Sequence, residues 1–206
     1  MYSDTTSLGS TFYGCTGLTS IDISVLDTSN IKTMSTTFYG CTKLTEVKIG
    51  NTSNVTTMES MFYNCSKLVS IKGDLLGSTN KSGIFYNCSN LVDTGKIDLT
   101  GITSTSTYYL WGSSTTSYMP SKLRKATFIN IGDASTVYGL YFPYWGVEDV
   151  ENYPTSAGAR QSLIDSLITY SKTRETTCTI YLSKNTLAVL TEDEINQINA
   201  KGYTLV

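Results

Sequence analysis

Histidine is absent from the 206 residues. That absence excludes Ser-His-Asp and Cys-His catalysis and every metal site that uses an imidazole. Charge is also scarce. Only 16% of the chain is Asp, Glu, Lys or Arg, the net charge is −2 and the pI is about 5.1. Binding to a phosphate backbone needs a basic footprint, so nucleic acid is not an expected partner. No stretch approaches the roughly 20 apolar residues of a membrane-spanning helix, so membrane insertion is not expected either. The opening MYSDTTSLGS has neither the basic nor the apolar region of a signal peptide. Either the protein is not exported by a signal peptide or the chain begins after its leader; the repeat described next starts partway through its pattern, which favours a chain trimmed of its leader or a piece of a longer protein. Ser, Thr, Asn, Gly and Tyr take the place of charge, a tendency of secreted, cell-surface and virion proteins.

What the chain does have is a repeat. TFYGC, TFYGC, MFYNC and IFYNC end on Cys15, Cys41, Cys65 and Cys88, in steps of 26, 24 and 23 residues. Periods of 20–50 residues mark stacked-repeat architectures. Each Cys is followed at the third position by Leu18, Leu44, Leu68 or Leu91. Alternating apolar residues come next: Ile21 and Ile23, Val47 and Ile49, then Ile71 with Gly73. In the fourth copy that pair is delayed to Ile97 and Leu99. Alternation with polar residues predicts short half-buried strands. Before the Phe, Ile31, Met34 and Phe38 repeat as Val55, Met58 and Phe62, at a spacing that predicts a short helix or helical turn. Ser29 or Asn30, and Ser53 or Asn54, are its candidate N-caps. A degenerate fifth copy sets Leu123, Ala126 and Phe128 on the same frame, with Tyr118 at the motif Tyr and Pro120 at the motif Cys.

The repeats fill residues 1–131, and residues 132–206 read as a helix-bearing C-terminal cap. Leu163, Ile164, Leu167 and Ile168 form one helical stripe, and Cys178, Ile180 and Leu182 alternate as a strand. Thr191 with Glu194 reads as a capping box, Leu190 with Ile195 as a hydrophobic staple and Gly202 as the C′ glycine before a last strand, YTLV. The spacing from Ile180 to Thr204 is close to the repeat period. No unit covers its own apolar face, and stacked units do. The expected fold is therefore α/β, a stack of strand, turn and short helix units around one continuous core.

Candidate chemistry is thin. The four motif cysteines read as a buried ladder, as disulfides or as metal ligands. Neighbouring strands lie about 5 Å apart, which overlaps disulfide Cα distances. The two-residue spacings of zinc ribbons do not occur, and buried free Cys is an ordinary small core residue. No metal is expected. Glu148, Asp149 and Glu151 cluster, as do Glu192, Asp193 and Glu194. Paired carboxylates can hydrolyse glycosides, but the second cluster suits the first turn of a helix. The first suits a solvated edge or a weakly held cation. No nucleophile is paired with a base. No cofactor and no enzymatic activity are expected; a glycan hydrolase is the reading set aside.

The aromatics are more telling. Tyr108, Tyr109 and Trp111 lie in an uncharged loop before Tyr118, and Tyr141, Tyr144 and Trp145 crowd VYGLYFPYWG. Tyr and Trp supply large rigid contact area with a polar tip. Packing against the cap is the competing role. Tyr13, Tyr39, Tyr63 and Tyr86 are placed to line a ridge. Outward strand positions make a second candidate surface, the concave strand face: Asp22, Glu46, Lys48 and Lys72, with Ser20 and Ser70.

DTSNIKTMSTTFYGCTKLTEVKI and NTSNVTTMESMFYNCSKLVSI resemble the BspA-like leucine-rich repeats. The likeness covers residues 8–100 closely and 100–131 loosely. It implies a right-handed leucine-rich-repeat solenoid with a parallel sheet on one face and short helices or turns on the other, and adhesion or partner binding in bacteria, some protists and phage or prophage proteins. The ending, with LTEDE and a terminal KGYTLV, resembles C-termini of repeat proteins in gut-bacterial phages and prophages. The expected function is a non-enzymatic binding module on a virion, a tail or an extracellular bacterial surface, recognising a host protein or glycan. The alternative is an assembly or decoration subunit that contacts other virion subunits.

Overall fold

The computed structural model describes residues 5–101, 110–111, 120, 122–123, 125–129, 139–142, 163–169, 171, 173, 178–182, 187–188 and 190–206. Among them, strands β1 (Ser20–Asp22), β2 (Glu46–Lys48), β3 (Ser70–Lys72), β4 (Asp93–Asp98) and β5 (Lys125–Ile129) form one parallel sheet in chain order. Register follows the repeat: Ile21 lies beside Val47, and Val47 beside Ile71. These are the alternating apolar positions read from the sequence, and all three face the core. Strands β6 (Gly139–Phe142), β7 (Cys178–Leu182) and β8 (Tyr203–Leu205) form a second parallel sheet. No helix among the described residues is long and apolar enough to cross a membrane.

The helix expected before each Phe is replaced by a chain of tight turns. The N–H groups of Thr37, Tyr39, Cys41 and Leu44 donate to the carbonyls three residues back, Met34, Thr36, Phe38 and Cys41. The alternate N–H groups leave the repeat altogether. Those of Met34, Thr36, Phe38 and Gly40 donate to Thr57, Glu59, Met61 and Tyr63 of the following repeat, at 2.8–2.9 Å. The next pair of repeats does the same, from Met58, Ser60, Phe62 and Asn64 to Asn80, Ser82, Ile84 and Tyr86. An α-helix would use every N–H locally, so the two patterns exclude each other. Left-handed residues at Thr36 and Gly40, with φ of 55° and 71°, break helical winding at the same points. The proposed N-caps serve turns instead: Asp27 and Asn51 side chains accept from Ser29 and Ser53. The preceding threonines bolt neighbouring repeats together. Thr28 Oγ1 donates to Asn51 O and Thr52 Oγ1 to Asp74 O.

The fourth copy departs differently from its expected frame. Ser70 pairs with Asp93, which puts Thr94 in the slot of Ile71, and the pairing of β4 with β5 slips between Asp93 and Lys96. A bulge at Thr94–Gly95 absorbs the extra residue, and Ile97 and Leu99 regain the core beyond it. The fifth copy is split. Leu123 N–H donates to Pro120 O, as Leu91 does to Cys88, so Pro120 takes the corner that Cys holds elsewhere. Leu123, Ala126 and Phe128 are buried as expected. Phe85 N–H donates to Leu110 O just as Phe62 donates to Ile84, so Leu110–Trp111 supply the apolar–aromatic step.

In the C-terminal part the capping box at Thr191–Glu194 opens helix α1 (Glu192–Ala200), and Gly202, φ 84°, ends it. The stripe at 163–168 is not a regular α-helix: Asp165–Thr169 wind as a wider π-helical segment, with Leu163 and Leu167 inward. Ser166 Oγ accepts from Phe128 N–H and ties this segment to β5. Ile180 lies beside Leu205 rather than Thr204, one residue further than the repeat step suggests.

Candidate binding surface

Three ladders run through the repeats, one each for the Phe, the Tyr and the Cys of the Phe-Tyr-x-Cys corner. Phe12, Phe38, Phe62 and Phe85 stack in nearly parallel planes with centroids 5.4, 5.6 and 6.2 Å apart. Trp111 continues the series, 5.8 Å from Phe85 and tilted by 35°. It is only 2% exposed, so it is a core residue and not a free contact on an open loop. An apolar–aromatic dipeptide was the signal for this placement; the missing Cys beside it hid the match.

The Cys ladder is architectural among the described residues. Cys41, Cys65 and Cys88 are free, buried thiols, each donating to the carbonyl of the previous repeat's Phe: Phe12, Phe38 and Phe62, at 3.0–3.1 Å. Burial pushes all three thiols above their ordinary pKa, strongly for Cys65 and Cys88. Cys15 is exposed. With maleimide at neutral pH, Cys15 is expected to label quickly, and Cys65 and Cys88 only after denaturant is added. Peptide mass spectrometry distinguishes them; native labelling of Cys65 at the Cys15 rate would contradict the ladder. No group of three or more potential metal ligands occurs among the described residues.

Tyr13, Tyr39, Tyr63 and Tyr86 form the ridge expected of them, stacked at 4.8, 4.6 and 4.1 Å. Each ring face between neighbours is covered by the next ring. Tyr13 alone stays largely open, 57% exposed. Sugars are held chiefly on aromatic faces, so this ridge offers them little, and its edges suit hydrogen bonding to a protein surface.

The sheet face carries the charges. In one row Asp22 lies beside Lys48 and Lys48 beside Lys72; in the next row Ser20, Glu46 and Ser70 align. Lys48 Nζ meets Asp22 Oδ2 at 3.1 Å, and Lys72 Nζ reaches diagonally to Glu46 Oε2 at 3.9 Å. Two hydrogen bonds from Ser24, then the Lys48 ammonium, hold the Asp22 carboxyl below its ordinary pKa. Ser70 keeps its place in the outward row but is covered there: it is buried and donates to Glu46 at 3.1 Å. Both pairs are screened by solvent, so these charges add little to folding and are free to re-pair with an incoming group. Of the other candidates, Tyr141 lies in β6, and Tyr108, Tyr109, Tyr118, Tyr144 and Trp145 lie outside the described residues, as do Glu148, Asp149 and Glu151.

One ionisable residue escaped the sequence reading. Lys81 stands seven residues before Cys88, the slot that Met34 and Met58 hold before Cys41 and Cys65. It is fully buried, and its ammonium donates to the carbonyls of Gly77, Ser78 and Asp98. Burial lowers its pKa to about 8, against the pull of Asp98, so it is charged at neutral pH. A Lys in a repeating Met position was the available signal.

No curated protein and no solved structure matches the chain. Residues 6–117, which hold the four Phe-Tyr-x-Cys corners and the first four strands, match a family of mycoplasma proteins of unknown function, DUF285, and the chain belongs to that family.

Proposed function

We propose that the protein is a non-enzymatic binding module of the BspA-like leucine-rich-repeat kind, a solenoid displayed on a phage particle or bacterial surface to engage a host-surface protein or glycan. The observation that carries this reading is the ladder of exposed, loosely paired charges on β1–β3, held in register by a repeating backbone. Rigid scaffolds that present extended faces are suited to recognition. The covered faces of the Tyr ridge favour a protein receptor over a glycan. Immobilised protein is expected to capture ligands from arrays of host-surface proteins or glycans. The double variant Lys48→Glu/Lys72→Glu is expected to weaken that capture tenfold or more without moving the urea midpoint. Silence across both arrays, or undiminished capture by the variant, would discard the reading.

A second reading, an assembly or decoration subunit, draws on the side of the first repeat where Phe12 and Leu18 are only partly buried while their counterparts Phe38 and Leu44 are fully so. Light scattering after size exclusion separates the two. A stable oligomer that shields Cys15 from labelling favours assembly, and a monomer with reactive Cys15 favours display.

A further inference from the structure

The fourth repeat departs from its neighbours in its core. Where the second and third repeats bury Ile31 with Met34 and Val55 with Met58, the fourth buries Ser78 with Lys81. Ser78 satisfies itself locally, its Oγ donating to Asn80 O and accepting from Asn80 N–H. Lys81 is satisfied in part by the same turn and in part by β4. Gly77 and Ser78 both take left-handed backbone conformations, with φ of 56° and 58°. Their carbonyl oxygens converge with that of Asp98, and the Lys81 ammonium bonds to Gly77 O, to Ser78 O at 2.6 Å and to Asp98 O at 2.7 Å.

We propose that Gly77 O, Ser78 O and Asp98 O form a site for an ammonium-type cation, which the chain fills with its own Lys81 side chain, and that this tethered cation fixes the end of β4. Carbonyl oxygens only accept hydrogen bonds. A water molecule brings two hydrogens and a thioether none, while an ammonium brings three donors, one for each oxygen. Charge-assisted bonds are also the stronger kind. The site lies where the repeat is least regular. The step shortens to 23 residues, β4 bulges at Thr94–Gly95, and Asp98 leads to Leu99, whose N–H crosses to Ile129 O of β5. An apolar Met in this slot packs, but ties nothing to Asp98.

Chemical rescue at pH 7 tests the site. In the full chain, Lys81→Ala is expected to lower the thermal midpoint by roughly 5–10 °C. Methylammonium chloride should restore part of that loss in a saturable way. Tetramethylammonium chloride at equal ionic strength, with the same charge but no N–H, should not. Wild type should respond to neither. Lys81→Met, which restores the residue of the other repeats, should also fall below wild type and gain nothing from methylammonium. If Lys81→Ala does not fold, refolding with methylammonium replaces the melt, and recovery of the native circular-dichroism signal supports the site. Equal effects of the two salts, no rescue in either format, or a Lys81→Met variant as stable as wild type would overturn it.

Discussion

Gly95→Ala is expected to destabilise the protein by about 3 kcal/mol or more. A methyl group built there would stand 2.0 Å from the carbonyl oxygen of Gly73, and the residue's φ is +66°. Both costs act at once. The left-handed backbone disfavours a Cβ, and the obstacle is backbone that cannot rotate aside. Moving it would pull β4 from β3 at the bulge that carries Thr94 into the core. Gly17→Ala is the matched control, since a methyl at Gly17 meets nothing within 4 Å and it should stay within about 0.5 kcal/mol of wild type. Urea unfolding of the two variants decides the matter. Comparable midpoints for both would show that the β3–β4 junction has room to shift.

Stability is expected to fall as the pH rises above about 9, at constant ionic strength and with reductant present. Cys65 and Cys88 have native pKa values raised above the 9.0 of a free thiol. Below pH 9 both folded and unfolded chains keep these protons, and their contribution is full. Above it the unfolded chain sheds them while the native state holds them, and stability falls by about 1.4 kcal/mol per pH unit for each thiol. Lys81 acts in the opposite sense. Its native pKa is about 8 and its free value 10.5, so from pH 8 to 10.5 the unfolded chain holds the extra proton and stability rises with pH. The two deeply buried thiols outweigh one amine, and Cys41, raised in the same sense, adds to them. From Cys65, Cys88 and Lys81 alone the loss is about 1.4 kcal/mol per pH unit from 9 to 10.5, and about twice that beyond. The double variant Cys65→Ala/Cys88→Ala should start less stable and lose the downward slope. Unfolding free energies measured from pH 7 to 11 give the result, and an unchanged slope in the variant would place the proton release elsewhere.

The strands of the first three repeats were legible because repetition multiplies a weak signal. One Leu-x-x-Ile-x-Ile is ambiguous, but three in phase set the register of Ile21, Val47 and Ile71 without appeal to propensity. The helices were misread for a physical reason. Apolar residues at Ile31, Met34 and Phe38 face one core whether the chain between them is helical or a run of turns. The two differ in where Met34, Thr36 and Phe38 send their N–H groups, which depends on a repeat more than 20 residues away. Thr36 and Ser60 gave no warning, since neither is a residue type that favours left-handed backbone. Trp111 was read as a contact residue because its copy is interrupted before the corner at Pro120. The charged strand face was legible from alternation alone, whereas the burial of Ser70 required knowing that Glu46 stands beside it.

The alternating hydrogen bonds also give the array a direction. Among the described residues the backbone bonds between Phe-Tyr-x-Cys corners run from an earlier repeat's N–H to a later repeat's carbonyl, and the thiols of Cys41, Cys65 and Cys88 point back the other way. A whole repeat inserted between two others therefore finds donors on one side and acceptors on the other, and leaves no bond broken. A partial insertion throws every later corner out of phase. Such a chain is free to change length in evolution by duplication and loss of whole units, like beads that fit a string in only one orientation. The ridge and charged face would lengthen or shorten with it, one ring and one charge pair at a time.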